Sequence, residues 1–135
     1  MNEVIIAVDF DGTCVEHEYP EIGPDVPYAA DTLRMLVAFG VKLILFTMRD
    51  GDHLAAAVKW FTDRGIPLYG VNENPDQKAW TSSPKAYANL YIDDAAIGCP
   101  LVYPEKETLK RPYVDWLSVG RQLGLNVLNI PQGAR

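Results

Sequence analysis

Cysteine is scarce in this 135-residue chain: Cys14 and Cys99 are the only two. Two thiols cannot make the disulfide framework of a small secreted domain, and each is expected as a small packed thiol in a reducing compartment. Basic clusters are thin as well. Twelve Lys and Arg stand against eighteen Asp and Glu, a formal charge of −6, and the densest basic stretch is Lys106, Lys110 and Arg111. A nucleic-acid polymer requires a basic stripe, so that partner is disfavoured. An acidic chain can still handle a small phosphate where a bound divalent cation supplies positive charge at one point. Long apolar runs are also missing. MNEVIIAV has no basic stretch ahead of its apolar run, which is too short for a signal peptide or a membrane span. No membrane partner and a cytoplasmic location are therefore expected. No internal repeat is visible.

What remains is ordinary in amount, with 48% hydrophobic and 22% charged residues, and fits one globular domain over 1–135. Val4-Ile5-Ile6-Ala7-Val8 reads as a strand buried on both faces. Residues 12–24 read as a loop or short hairpin. A helix is expected from Pro27, capped by Asp25 and stopped by Gly40. Leu43-Ile44-Leu45-Phe46 lies in a second buried strand, followed by a helix capped by Asp52 and ended by Gly65. Leu68–Val71 is a short third strand, and the polar, proline-bearing NENPDQKAWTSSP is a loop with a helical turn. Leu90–Ile92 is a further strand, Leu101–Tyr103 a fifth, edge-like one, and 112–123 a closing helix. Leu125 to Ile130 is ambiguous, and a loose tail is expected towards 135. Alternating strands and helices imply right-handed crossovers, hence a doubly wound, mostly parallel α/β sheet with helices on both faces.

Three strands end in polar groups: Asp9 and Asp11, Thr47, and Asp93-Asp94. In such sheets ligands sit beyond the carboxyl ends of the strands, where the order reverses, so these groups should converge on one crevice. Side chains two apart on an extended chain point the same way, about 6–7 Å apart. Two carboxylates there repel by roughly 2–3 kcal/mol at an effective dielectric of about 20. Four acids together call for a cation, and oxygen ligands suit Mg²⁺. The Gly-bearing loop Phe10–Thr13 offers an anion nest, a strand-end hydroxyl such as Thr47 donates a hydrogen bond, and a lysine neutralises a phosphoryl oxygen. An aspartate at the head of this arrangement can attack phosphorus, while a second acid moves the proton.

Asp9-Phe10-Asp11-Gly12-Thr13 after a hydrophobic strand resembles the signature of the haloacid dehalogenase superfamily of phosphohydrolases. Thr47 is similar to its second motif, Asp93-Asp94 to its fourth, and a lysine upstream of that pair to its third. Lys85 fits the third position best and Lys78 is the alternative. The resemblance, over residues 4 to about 100, implies Asp9 as nucleophile and Asp11 as general acid/base. It implies Mg²⁺ on Asp9, the Asp11 carbonyl and Asp93, with Asp94 close or acting through water. It also implies Thr47 and Lys85 on the phosphoryl group, helped by main-chain groups of Phe10, Gly12 and Thr13. An acid at position 11 favours phosphatase over dehalogenase chemistry. Asp9 to Thr47 and Thr47 to Lys85 each span 38 positions. Both intervals are filled by core elements, which implies a member without a cap domain, whose open crevice a second copy of the chain could screen.

Met48 and Arg49 follow Thr47 and are candidates for substrate contact, Arg49 at a leaving group or as a solvated loop residue. His17 and His53 read as surface or helix-start residues rather than catalysts, Cys14 as packing rather than a nucleophile, and Trp60 and Phe61 as core. Tyr19, Trp80 and Tyr87 fall near the expected rim, where they could stack on a sugar or base. The expected activity is Mg²⁺-dependent hydrolysis of a small phosphorylated metabolite, a sugar phosphate or nucleotide. The alternatives are a phosphoprotein or nucleic-acid-end phosphatase, or a non-catalytic phosphoacceptor or phosphate-binding module.

Overall fold

Four parallel strands carry the fold in a computed structural model of the protein, which describes residues 3–129. In chain order the elements are β1 (Ile5–Val8), α1 (Ala29–Ala38), β2 (Lys42–Leu45), α2 (Gly51–Asp63), β3 (Gly70–Val71), β4 (Leu90–Ile92), β5 (Leu101–Val102), β6 (Tyr113–Val114) and α3 (Trp116–Gln122). The main sheet has the order β3-β2-β1-β4, with every pairing parallel. After β3 the chain crosses back past β2 and β1, so the order reverses beside β1. That is where such a sheet opens a crevice.

The pleat sorts the apolar side chains onto two unequal faces. Ile6, Val8, Leu43, Leu45 and Ile92 meet Leu33 and Leu36 of α1, Ala57 and Phe61 of α2, and Trp116 and Val119 of α3 in one large cluster. The opposite face holds Ala7, Ile44 and Ala88, with Ile5 and Tyr69 partly buried against them. Helices flank a parallel sheet as expected, but all three α-helices belong to the first cluster. The second face is met by the connection after β3, whose helical content is one 3-10 turn, Gln77–Ala79. Two prolines and a run of polar residues in 72–84 leave no apolar stripe for a longer helix.

Local corrections have local causes. Asp25 does not cap α1; Tyr28 stands there with φ of 66°. Asp25 instead accepts from Trp60 Nε1 at 2.9 Å and pairs with Arg64 at 2.8 Å. Asp50, not Asp52, is the residue ahead of α2, with no side-chain capping bond. The third strand is shorter than Leu68–Val71, and the fifth stops at Val102. The closing helix begins only at Trp116, because Asp115 caps it by accepting from Ser118 N at 3.2 Å. Before that cap, Tyr113 and Val114 are extended and pair antiparallel with β5. Residues 12–24 form a loop with single bridges from Val15 to Asp11 and Asp25. Residues 125–129 end in a 3-10 turn, Val127–Asn129, and the rest of the expected tail lies outside the described residues.

Trp60 and Phe61 are core residues, as expected. Both cysteines are free, Cys14 buried and Cys99 half-buried, and burial pushes both thiols up in pKa. Cys14 is thus an inert packed thiol rather than a nucleophile. No helix among the described residues is long and apolar enough to cross a membrane.

Candidate metal and phosphate site

The carboxyl ends of β1 and β4 meet because Asp9 N–H donates to the Ile92 carbonyl at 2.9 Å. This brings Asp9 beside the two acids that follow β4. One carboxylate oxygen each from Asp9, Asp93 and Asp94 lies within 4.8 Å of the others. Burial, then the charge of Asp93 and a shared hydrogen bond with Asp94, push the Asp9 carboxyl up to about 8, against a smaller opposing effect of the Thr13 hydroxyl. That hydroxyl donates to Asp9 Oδ2 at 2.8 Å. The donor set is all oxygen and bears up to three negative charges. It fits a hard divalent cation such as Mg²⁺.

Asp94 is fixed from two sides. Its amide donates to Thr13 Oγ1 at 3.3 Å, and its Oδ2 lies 2.7 Å from His17 Nε2. The expectation of a surface or helix-start role for His17 is therefore corrected: the ring is largely buried against the acidic group. Gly12, at φ of 81°, leaves room for this contact, since a Cβ there would overlap His17 Nε2 and Asp94 Oδ2. The sequence offered little to find His17 by. It sits in an aperiodic loop, and its closeness to Thr13 was the one available signal.

Asp11 takes a different course. Its carboxylate is not in the three-acid group, and both oxygens are held by Arg49, Nε to Oδ2 and Nη2 to Oδ1, each at 2.8 Å. Nη1 of Arg49 donates to the carbonyls of Pro20 and His53, and Nη2 also donates to that of Glu21. All five guanidinium N–H groups are thereby used. The guanidinium also lies 5.1 Å from the ring centres of both Phe10 and Tyr19. Arg49 is neither a substrate contact nor a solvated loop residue. It is buried, at 2% exposure, and clamps the 19–21 loop to Asp11.

The expected phosphate nest is also redrawn. Gly12 N–H donates to the Val15 carbonyl and Thr13 N–H to that of Phe10, so neither is open to an anion. The amides of Phe10, Asp11 and Met48 donate to no group among the described residues. The Phe10 side chain is fully buried, leaving only its main chain available, and the Met48 side chain is almost fully exposed. Thr47 donates its amide to Asn72 Oδ1 at 2.7 Å, and its Oγ1 accepts from Arg49 N–H at 3.2 Å. Its hydroxyl hydrogen is not donated among the described residues.

The two candidate lysines part company. The Lys85 ammonium lies 5.4 Å from the Tyr91 ring centre, and Tyr91 lines a crevice of about 230 Å³ with Ala7, Asp9, Phe46 and Asp93. Lys78 lines a separate cavity of about 440 Å³ beyond β3. Tyr19 packs on His53 and Arg49, while Trp80 and Tyr87 pair with each other edge to face at 5.7 Å.

No family model matches the chain, and no curated protein matches it. A solved structure described as that of the conserved protein coded by locus from Bacteroides thetaiotaomicron is 35% identical, with a TM-score of 0.69 over 90% of this chain and 93% of that one. The chain belongs to the same family as that conserved protein.

Proposed function

We propose that the protein is a Mg²⁺-dependent phosphomonoesterase of the capless haloacid dehalogenase type. One observation carries this reading: three carboxylates drawn from the ends of two adjacent parallel strands gather within 4.8 Å, with no lysine or arginine paired to any of them among the described residues. Asp9, Asp93 and the Asp11 carbonyl would hold the ion, with Asp94 alongside. Bound there, Mg²⁺ supplies the positive charge that lets these acids ionise together and that draws charge from phosphoryl oxygens.

Asp9 attacks phosphorus and the bond to the ester oxygen breaks, leaving an aspartyl phosphate. The departing oxygen takes a proton. Water then attacks the phosphorus, inorganic phosphate leaves, and the Asp9 carboxylate is restored. The amides of Phe10, Asp11 and Met48, the Thr47 hydroxyl and the Lys85 ammonium orient the phosphoryl group and stabilise its developing charge. Asp11 moves the proton, and to do so its carboxyl must turn away from the fork of Arg49.

That last requirement also favours a second reading. A protein whose proton donor stays clamped would accept a phosphoryl group on Asp9 and release it slowly, as a phosphoacceptor. Phosphate release from p-nitrophenyl phosphate with Mg²⁺ separates the two. Sustained turnover that falls by about 10³-fold or more in Asp9→Asn is the result expected of an esterase with a covalent nucleophile. A single stoichiometric release would support the phosphoacceptor instead, and no release at all would refute the esterase.

A further inference from the structure

A second cavity stands apart from the Asp9 crevice and shares no lining residue with it. It lies beyond β3, encloses about 440 Å³, and is walled by residues 72–86. That volume falls within the roughly 300–1,000 Å³ typical of small-molecule sites, which the crevice beside Asp9 does not reach. Its wall is one hydrogen bond from the proposed phosphoryl site, because Asn72, a lining residue, holds the Thr47 amide through Oδ1 at 2.7 Å. A substrate whose phosphoryl group rests on Thr47 has this cavity as the adjoining space.

The cavity is preformed. Buried Gln77 donates to the carbonyls of Ser83 and Lys85 and accepts from Tyr87 N–H. Buried Asn74 donates to the Tyr87 carbonyl and accepts from Tyr69 Oη–H and Asp76 N–H. Six hydrogen bonds thus give an irregular segment one shape, and the same bonds set the backbone of Lys85, whose ammonium lies over Tyr91, a lining residue of the Asp9 crevice.

Its lining specifies the guest. Pro84 and Ala86 are its only apolar residues. The Lys78 ammonium, the Ser82 hydroxyl, the Asn72 Nδ2 amide and the Glu73 carboxylate project hydrogen-bonding capacity with no partner among the described residues. One cation and one anion cancel, so a second phosphate finds no net attraction. Trp80 and Tyr87 pack edge to face on each other outside the lining, so no aromatic platform lines the cavity for a nucleobase. We infer that this cavity is the leaving-group subsite of the enzyme and that it receives a neutral polyhydroxylated group, the sugar part of a sugar phosphate. The inference rests on the phosphatase reading above.

The test compares kcat/KM for glucose 6-phosphate, AMP and p-nitrophenyl phosphate in the full chain with Mg²⁺, then in Lys78→Ala and Ser82→Ala. The expected result is preference for the sugar phosphate, with its ratio to p-nitrophenyl phosphate falling about tenfold in Lys78→Ala and less in Ser82→Ala, the scale of a lost charged and a lost neutral hydrogen bond. A ratio unchanged in both variants, or AMP preferred over the sugar phosphate, overturns the inference. Calorimetric binding of glucose 6-phosphate to Asp9→Asn, with and without Lys78→Ala, keeps the two proposals apart. Binding to Asp9→Asn that weakens about tenfold on loss of Lys78, together with a parent protein that hydrolyses none of the three substrates, upholds the subsite and sinks the esterase. Turnover of p-nitrophenyl phosphate without sugar-phosphate binding does the reverse.

Discussion

Asp9 and Asp11 leave the same strand two residues apart and enter opposite electrostatic settings. Around Asp9, two further acids crowd in with no lysine or arginine paired to them among the described residues, and the carboxyl is pushed up to about 8. Around Asp11, a buried guanidinium supplies one positive charge, and its remaining N–H groups are taken by three carbonyls. The first region gathers three acids that could hold a metal ion. The second is complete as folded. The contrast teaches that two acids of one motif need not share a setting: one joins a group that could hold a cation, and the other is anchored to the loop that borders it.

The largest effect should come from opening the clamp. Arg49→Met leaves the Asp11 carboxylate and the carbonyls of Pro20, Glu21 and His53 without their donor. Breaking a buried pair by removing one partner costs about 3–5 kcal/mol. Urea unfolding of Arg49→Met should show a loss of that size, and the double variant Asp11→Leu/Arg49→Met should recover a good part of it. A loss below about 1 kcal/mol would place the clamp in the range of surface ion pairs and erase the contrast.

The sequence made the first region far more legible than the second. Strand-end acids announce themselves because a buried β-run fixes where they point, and the all-parallel order then brings Asp9, Asp93 and Asp94 together. Arg49 could not be assigned in the same way. Its distant partners are two carbonyls 28 and 29 positions earlier and a carboxylate 38 away, set by a loop with no period. His17 was hidden for the same reason. The amides were misassigned because a Gly-bearing loop can turn its N–H groups inward or outward, and only the turn geometry settles which. Here Gly12 and Thr13 turn inward, onto Val15 and Phe10. The short β6 was masked by a helical pattern until Asp115 proved to be the cap. The convergence of the β1 and β4 ends survived translation into three dimensions; the details of irregular segments did not.

A second way to sharpen the contrast is pH. Asp9 has a carboxyl ordinarily near 3.8 and, in the folded metal-free protein, near 8. Below the lower value both folded and unfolded chains are protonated there, and the contribution to stability is fully present. Between the two values the unfolded chain has released its proton and the folded chain keeps it, so stability falls as pH rises. With chelator present, the melting temperature should decline from about pH 5 to pH 8, by several degrees for a domain of this size. Saturating Mg²⁺ should flatten the decline, since it stabilises the ionised acids, and so should Asp9→Asn. A decline that persists unchanged in Asp9→Asn would locate its cause elsewhere.

The smallest effect is the most discriminating in sign. Asp93→Asn keeps the side chain's shape and its Oδ1, which accepts from Ala95 N–H at 2.8 Å, and removes one negative charge from beside Asp9. In the metal-free protein above about pH 8, where Asp9 is ionised, that relieves repulsion, so the variant should be more stable than the parent by about 1 kcal/mol, the worth of one pKa unit. With Mg²⁺ the order should invert, because the parent gains the free energy of binding and the variant, short of a charged ligand, gains less. Neutralising a charged group thus stabilises one region and destabilises the other, although both begin from the same strand. Thermal melts of parent and Asp93→Asn with chelator and with Mg²⁺ read this crossing directly. If Asp93→Asn is the less stable protein under both conditions, Asp93 has a structural partner in the folded chain, and the three acids are not an ion-binding cluster.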